Sequence, residues 1–339
     1  MNTPVKFVTS VAVVALLGAC GPDDRILAED VEGRYELKSS FSMPDGIPEG
    51  ELTAVNRFME LADHPDLAAA WVLEIVEEEL DGAYLTAFQA ARKGVGFDEL
   101  LQETLEERDP EALSKLVDLA DDIKQVVTNL QLRSEMELVA VKKTKGGNVN
   151  HVLVGSIFTI DGESYDYDFS RMHVSAIPPV NTQFEINHEG WLRFQEQGFS
   201  LPYGDILTFA VHEVIAPKID PTADNLADLI TTIVPCGVVG DVVAEAVGFG
   251  PGEIYATACQ YGLEGPAQEL NDEFSGITAQ LIMRDGEAIM IDNRGDRLVD
   301  RFDDGQWEGD IGFATGTIRL KRPTQTFQAE RIGGTRFVD

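Results

Sequence analysis

The hydrophobic period changes four times along this chain, and the order of those changes limits the folds open to it. Gly33-Arg34-Tyr35-Glu36-Leu37 begins an extended segment to about residue 42, which Pro44, Gly46, Pro48 and Gly50 end. From about 51 to 130 the period is helical. Leu67, Trp71, Val72, Ile75, Val76 and Leu80 share one face, and Glu74, Glu77, Glu78 and Glu79 fall elsewhere. Asp109-Pro110 reads as an N-cap with proline at the first helical position, opening a second stripe that includes Leu113, Leu116, Ile123 and Val127. At about 132 a period of two takes over. Leu132, Met136 and Leu138 alternate with Arg133, Glu135 and Glu137. Val152, Val154, Phe158 and Ile160 are expected on one face of the next strand, before a hairpin at Asp161-Gly162. Tyr165, Tyr167 and Phe169 should then point inward, with Asp166 and Asp168 in water.

A second, more apolar helical block covers about 203–272. It holds a break at Pro235-Cys236-Gly237 and a final helix that carries Cys259. The remainder reads as a meander of six short strands. Its turns fall at Asp285-Gly286, 293–296, Asp303-Asp304-Gly305 and Pro323. Together these segments predict an α+β fold: an antiparallel β-meander sheet or barrel of about a dozen strands with two helical insertions. Residues 33–339 are read as a single domain whose helices-plus-strands halves, 33–198 and 199–339, echo each other. The meander leaves an open edge, and pairing it with the segment that starts at Gly33 would close the sheet.

The 339 residues hold 59 acidic and 26 basic side chains, a formal charge of −33. That balance opposes binding to nucleic acid or to an anionic surface by electrostatics. Cys20, Cys236 and Cys259 are the three cysteines. With Cys20 assigned as below, an oxidising compartment makes Cys236 and Cys259 a disulfide, because no histidine or carboxylate flanks them at metal-ligand spacing.

Residues 1–19 carry Lys6, an apolar run over 7–17 too short to span a bilayer, and small residues before Cys20. Leu17-Gly18-Ala19-Cys20 resembles the lipobox of bacterial lipoproteins. The resemblance implies a signal peptide over 1–19, diacylglycerol and an N-acyl chain on Cys20, and an acylated tether over 20–32. Gly21, in place of the aspartate that favours inner-membrane retention, implies the outer membrane of the bacterial envelope.

Gly33-Arg34-Tyr35 and Phe327-x-Ala329-x-Arg331 resemble the opening Gly-x-Trp and the closing arginine of lipocalins, with tyrosine in place of tryptophan. This resemblance implies a barrel that carries an apolar ligand. His212-Glu213 starts like a zinc-protease helix, but Ala216 stands where the second histidine belongs. The other histidines, His64, His151, His173 and His188, are scattered, so no metal or cofactor is assigned. Asp292, Asp296, Asp300, Asp303, Asp304, Glu308 and Asp310 cluster in the final meander and read as solvated turns, with Ca²⁺ as the alternative. No nucleophile elbow or phosphate loop occurs, and catalytic residues are left unassigned. The expectation is an envelope lipoprotein with a structural or partner-binding role. A lipocalin-like carrier and a hydrolase of an envelope polymer are the alternatives. A filled sheet interior favours the first, an open apolar cavity the second, and a cleft with perturbed carboxylates the third.

Overall fold

The first and last strands of the chain pair with each other, and that pairing closes a barrel. A computed structural model describes residues 26–43, 53–94, 96–171, 177–223 and 225–334. The lipobox-like stretch with Cys20, the 44–50 turn and His173 lie outside them. A short helix α1 (Ala28–Val31) leads into β1 (Gly33–Ser42). Next come β2 (Asn129–Ala140), β3 (Gly146–Ile160), β4 (Glu163–Asp168) and β5 (Val180–Ile186). The second run holds β6 (Leu192–Phe194), β7 (Gln197–Leu201), β8 (Ala279–Ile291), β9 (Arg301–Gly312), β10 (Thr317–Leu320) and β11 (Thr326–Gly333). Eight strands, β1, β2, β3, β5, β6, β8, β9 and β11, pair antiparallel in that order, and β11 returns to β1 with Leu37 opposite Ala329. The other three flank the ring: β4 on β3, β7 beside β6 along β8, and β10 on β9.

An up-and-down barrel sends alternate connections to opposite ends. The first insertion joins β1 to β2: α2 (Thr53–Asp63), α3 (Ala68–Glu79), α4 (Gly82–Gly94), α5 (Phe97–Arg108) and α6 (Ala112–Thr128). The second joins β7 to β8: α7 (Tyr203–Phe209), a π-helical stretch Ala210–Ile215, α8 (Ala216–Ile219), α9 (Leu226–Ile233), α10 (Cys236–Val247) and α11 (Gly252–Gly276). Ser42 faces Asn129 and Leu201 faces Ala279, so both insertions leave the barrel at one end. They pack into a single helical cap, with α11 against α3 and α10 against α4 and α5. The Tyr203 hydroxyl donates to the Val127 carbonyl at 2.5 Å and ties the second insertion to α6. Chain entry and exit lie at the opposite end, with Arg34 opposite Gly333.

Several expected boundaries move. Asp285-Gly286 and Asp304-Gly305 are not hairpin turns, so six expected strands become four, and β8 and β9 run through them. A two-residue type I′ turn needs positive φ at both central residues. Asp161 and Gly162 both have it, at 50° and 80°, and make the hairpin between β3 and β4. At the other two sites only the aspartate does, at 50°, and the ladder shifts register there as in a β-bulge. A register shift of β3 against β2, between Arg133 and Ser134, also moves Val152 and Val154 off the face of Phe158 and Ile160; Leu153 points inward instead. Asp109 ends α5 rather than opening α6, which starts after Glu111. A division at 198 falls inside β7. The tether over 20–32 is not free to its end, because Ala28 and Val31 are buried against the barrel.

Candidate functional site

The barrel interior is filled from all sides. Alternate residues of each strand point inward, among them Tyr35, Leu37, Leu132, Met136, Phe199, Leu281, Phe302 and Trp307, all buried. Among the described residues, the lumen holds a cavity of about 20 Å³ bordered by Leu37, Met136, His151, Gln197, Met283 and Trp307. It has room for about one water molecule. The Trp307 ring is fully buried, and its Nε1 has no hydrogen-bond partner.

Three polar side chains from different strands meet beside this cavity. His151 Nε2 lies 2.7 Å from Ser134 Oγ, and His151 Nδ1 contacts Gln197 Oε1. With Gln197 presenting its carbonyl oxygen, Nδ1 carries the proton and Nε2 accepts from the serine hydroxyl. The imidazole edge also meets the Phe199 ring, with centroids 4.9 Å apart. Burial lowers the His151 pKa from 6.5 to about 4, and the Gln197 bond only partly opposes this. A serine aligned on a neutral histidine is the arrangement that activates a hydroxyl. Here all three residues are buried and the adjoining space is water-sized, too small for an ester or amide. The trio links β2, β3 and β7 across the core.

The end opposite the helical cap is closed by a second polar group. Arg331 on β11 reaches under the barrel and donates to the carbonyls of Val299 (2.6 Å), Glu32 (2.7 Å) and Asp30 (3.3 Å). It also donates to the Tyr35 hydroxyl at 2.7 Å, and its guanidinium carbon lies 5.1 Å from the Tyr35 ring centroid. The Tyr35 hydroxyl is 2.9 Å from the Val31 carbonyl at the end of α1. Burial pushes this hydroxyl's pKa up and Arg331 opposes, so it stays a donor at neutral pH. The two residues singled out at the ends of the chain thus meet and pin α1 across the barrel end.

The other expected sites fall as follows. Cys236 and Cys259 form a disulfide between α10 and α11, with Cα atoms 5.5 Å apart. At the same crossing, a side chain on Gly240 would collide with Ala256, so only glycine lets the helices approach. His212 sits in the π-helical stretch with Nε2 3.1 Å from Asn271 Oδ1. Asp292 accepts backbone N–H groups of Arg294, Gly295 and Arg297, and Asp300 accepts from Asn293, so both serve their own turn. Among the described residues, no group of three histidine, cysteine or carboxylate side chains is placed to hold a metal ion. Burial raises the pKa of Asp122, but Lys218 lies 3.4 Å away and bridges it to Asp161; this is a salt bridge rather than an acid and base pair. Residues 134, 151 and 197 carried no motif in the sequence. Their signal was parity alone, since His151 alternates in step with buried Val149 and Leu153. No protein-family profile matches the sequence, no curated protein matches it, and no solved structure matches the fold.

Proposed function

We propose that this chain is an envelope lipoprotein with a structural or partner-binding role, held at the membrane through acylated Cys20. One observation carries the reading: the barrel is packed solid, with a cavity of about 20 Å³ and an element across each end. Transport of an apolar ligand needs an enclosed space of a few hundred Å³. A filled barrel offers a rigid support instead, and its outer surfaces and helical cap are left for contact. A second reading, a carrier of a small apolar ligand, is favoured by the Tyr35–Arg331 closure and by the methionines at the cavity, since Met136 and Met283 can repack.

The test uses cells expressing the full chain. Palmitate should label the wild type and not Cys20→Ala, and cross-linking should shift the labelled protein into a larger complex. Equal labelling of both forms removes the anchor. A cross-linked wild type that stays at monomer mass with a stoichiometric lipid removes the partner-binding role.

A further inference from the structure

Exposed aromatic side chains gather at one place on the helical cap. Tyr261 on α11 is 63% exposed, and Phe249, in the loop before α11, is 43% exposed. The Tyr84 ring on α4 lies 5.1 Å from Phe249, sits edge-on to buried Tyr255 at 6.0 Å, and borders the same recess as Tyr261. Gly248 and Gly250, with φ of 64° and 78°, turn the backbone so that Phe249 is presented outward. Between Leu80, Tyr84, Ile254 and Tyr261 lies an open recess of about 420 Å³. Further along the same α3–α11 seam, a second recess of about 260 Å³ is floored by Trp71, Ile75 and Leu270. The Cys236–Cys259 disulfide fixes α11 behind this surface. Rigid aromatic anchors around recesses are what binding hot spots are made of.

The rim decides what fits. Glu79, Asp81 and Glu253 border the first recess, and Glu78 and Glu269 border the second. Among the described residues no lysine or arginine forms a salt bridge with any of these five. The cation at the seam, Arg57, is taken by Glu74 at 2.5 Å. The chain holds 59 acidic to 26 basic side chains, so unpaired carboxylates are not confined to the seam, although some elsewhere carry their own cations. Glu287 holds Arg193 and Arg322, Arg284 sits between Glu196 and Asp310, and Arg133 faces Asp166 and Asp168. The seam therefore combines exposed aromatic surface with uncompensated negative charge.

We infer that the α3–α11 seam is a docking surface for a cationic segment of another envelope protein, with bulky apolar side chains seated in the two recesses and Lys or Arg against the rim. The inference rests on the partner-binding reading above. The seam lies on the cap, at the pole opposite α1 and the chain entry. From Cys20 to Ala28 the chain reaches at most roughly 28 Å. An anchor at Cys20 therefore keeps the α1 pole near the bilayer and turns the seam outward, toward a partner not embedded in the same leaflet.

The experiment is fluorescence anisotropy on the detergent-solubilised full chain with two labelled peptides. Both carry Leu and Trp anchors on one face; one has Lys and Arg on the other, its mirror has Glu. The cationic peptide should bind, and weaken at least tenfold between 50 and 500 mM salt, numbers set by screening on the order of a Debye length. The Tyr261→Ala, Phe249→Ala pair should weaken it about tenfold, as loss of aromatic anchors does. The Glu79→Gln, Glu253→Gln pair should weaken it severalfold and flatten the salt dependence. Glu185→Gln with Glu330→Gln, the same charge change on exposed barrel positions, should leave it unchanged. All substituted side chains are exposed, so matching thermal melts exclude unfolding as the cause. No binding, equal binding of the mirror peptide, or equal loss in the barrel control each overturns the docking surface. Binding untouched by every seam change also overturns it but leaves the partner-binding reading standing. Only a stoichiometric ligand in the barrel, measured separately, removes that reading.

Discussion

At the scale of single residues, His151 is where the interior departs most from a plain apolar core. Its pKa falls from 6.5 in the unfolded chain to about 4 in the fold. Above 6.5 both states hold it neutral and it adds no pH dependence. Below 6.5 the unfolded chain binds the proton first, so stability falls as pH drops, until the folded value is passed near 4. At about 1.4 kcal/mol for each tenfold difference in proton affinity, the loss between pH 7 and pH 5 is about 2 kcal/mol. Urea melts at the two pH values should show it, and His151→Leu should abolish most of that slope while lowering stability throughout. An unchanged slope in the variant places the titration elsewhere. Tyr167 gives the converse case, where alternation did announce the face. It is buried and stacks on Phe209 with ring centroids 4.1 Å apart, whereas the Asp168 side chain faces Arg133 at 3.7 Å in partial exposure. Tyr167→Ala should cost roughly 3 kcal/mol, and Asp168→Ala under about 1 kcal/mol. Equal losses in chemical melts contradict this assignment. The difference in legibility is physical. An aromatic run alternating with aspartates carries its face in its own neighbours. His151 takes its role from Ser134 and Gln197, and Gln197 lies 46 positions away on a strand known only once the barrel closes.

At the scale of elements, periodicity found strands and helices but not the geometry at their joints. Asp-Gly is the same signal whether both residues take positive φ and turn the chain or only the first does and bulges it. Which occurs depends on whether the flanking segments pair with each other or with a third strand. At β8 the third strand wins on both sides, with Leu192 opposite Ala288 and Gln197 opposite Met283. The short helix α1 was invisible for a related reason. Four residues cannot hold a helix by propensity, and this one stands because Tyr35, four residues on, and Arg331, from the far end of the chain, hold its carbonyls. Arg331→Ala should therefore release it at a cost of roughly 3 kcal/mol, since hydrogen bonds from a charged donor are worth about 1.5–3 each and several are lost together. Hydrogen exchange over residues 28–35 should rise well above that of β2. Protection that stays uniform gives α1 some other support. The disulfide belongs to this scale too. Its cysteines are 23 residues apart, and a closed loop of that size stabilises by about 3 kcal/mol on the chain-entropy account. Cys236→Ala with Cys259→Ala should lower stability by that amount, read by urea titration in oxidising buffer. A neutral result means that Gly240 and Ala256 alone hold α10 on α11.

At the scale of the whole molecule, two runs of the same order build the barrel. Strand, five named helices, strand, strand, flanking strand, strand describes the chain from β1 to β5. The same order describes it from β6 to β11, with β6 and β7 counted as the opening strand. Each run supplies half of the closed ring and one helical insertion at the same end, which is why the echo between the two helical blocks was legible before the fold was. Closure was legible as well, because an unpaired meander edge and an unpaired first strand need one another. The filling of the interior was not, since inward-facing alternation looks alike around an open lumen and a packed one. That filling separates a support from a carrier, and native mass spectrometry of the protein purified from cells that express it reads it directly. A packed barrel predicts the mass of the chain with its covalent modifications alone, unchanged on incubation with fatty acids or other apolar ligands. A stoichiometric adduct that survives desolvation, and is lost when Phe194 or Met283 is replaced by tryptophan to fill the cavity, contradicts it.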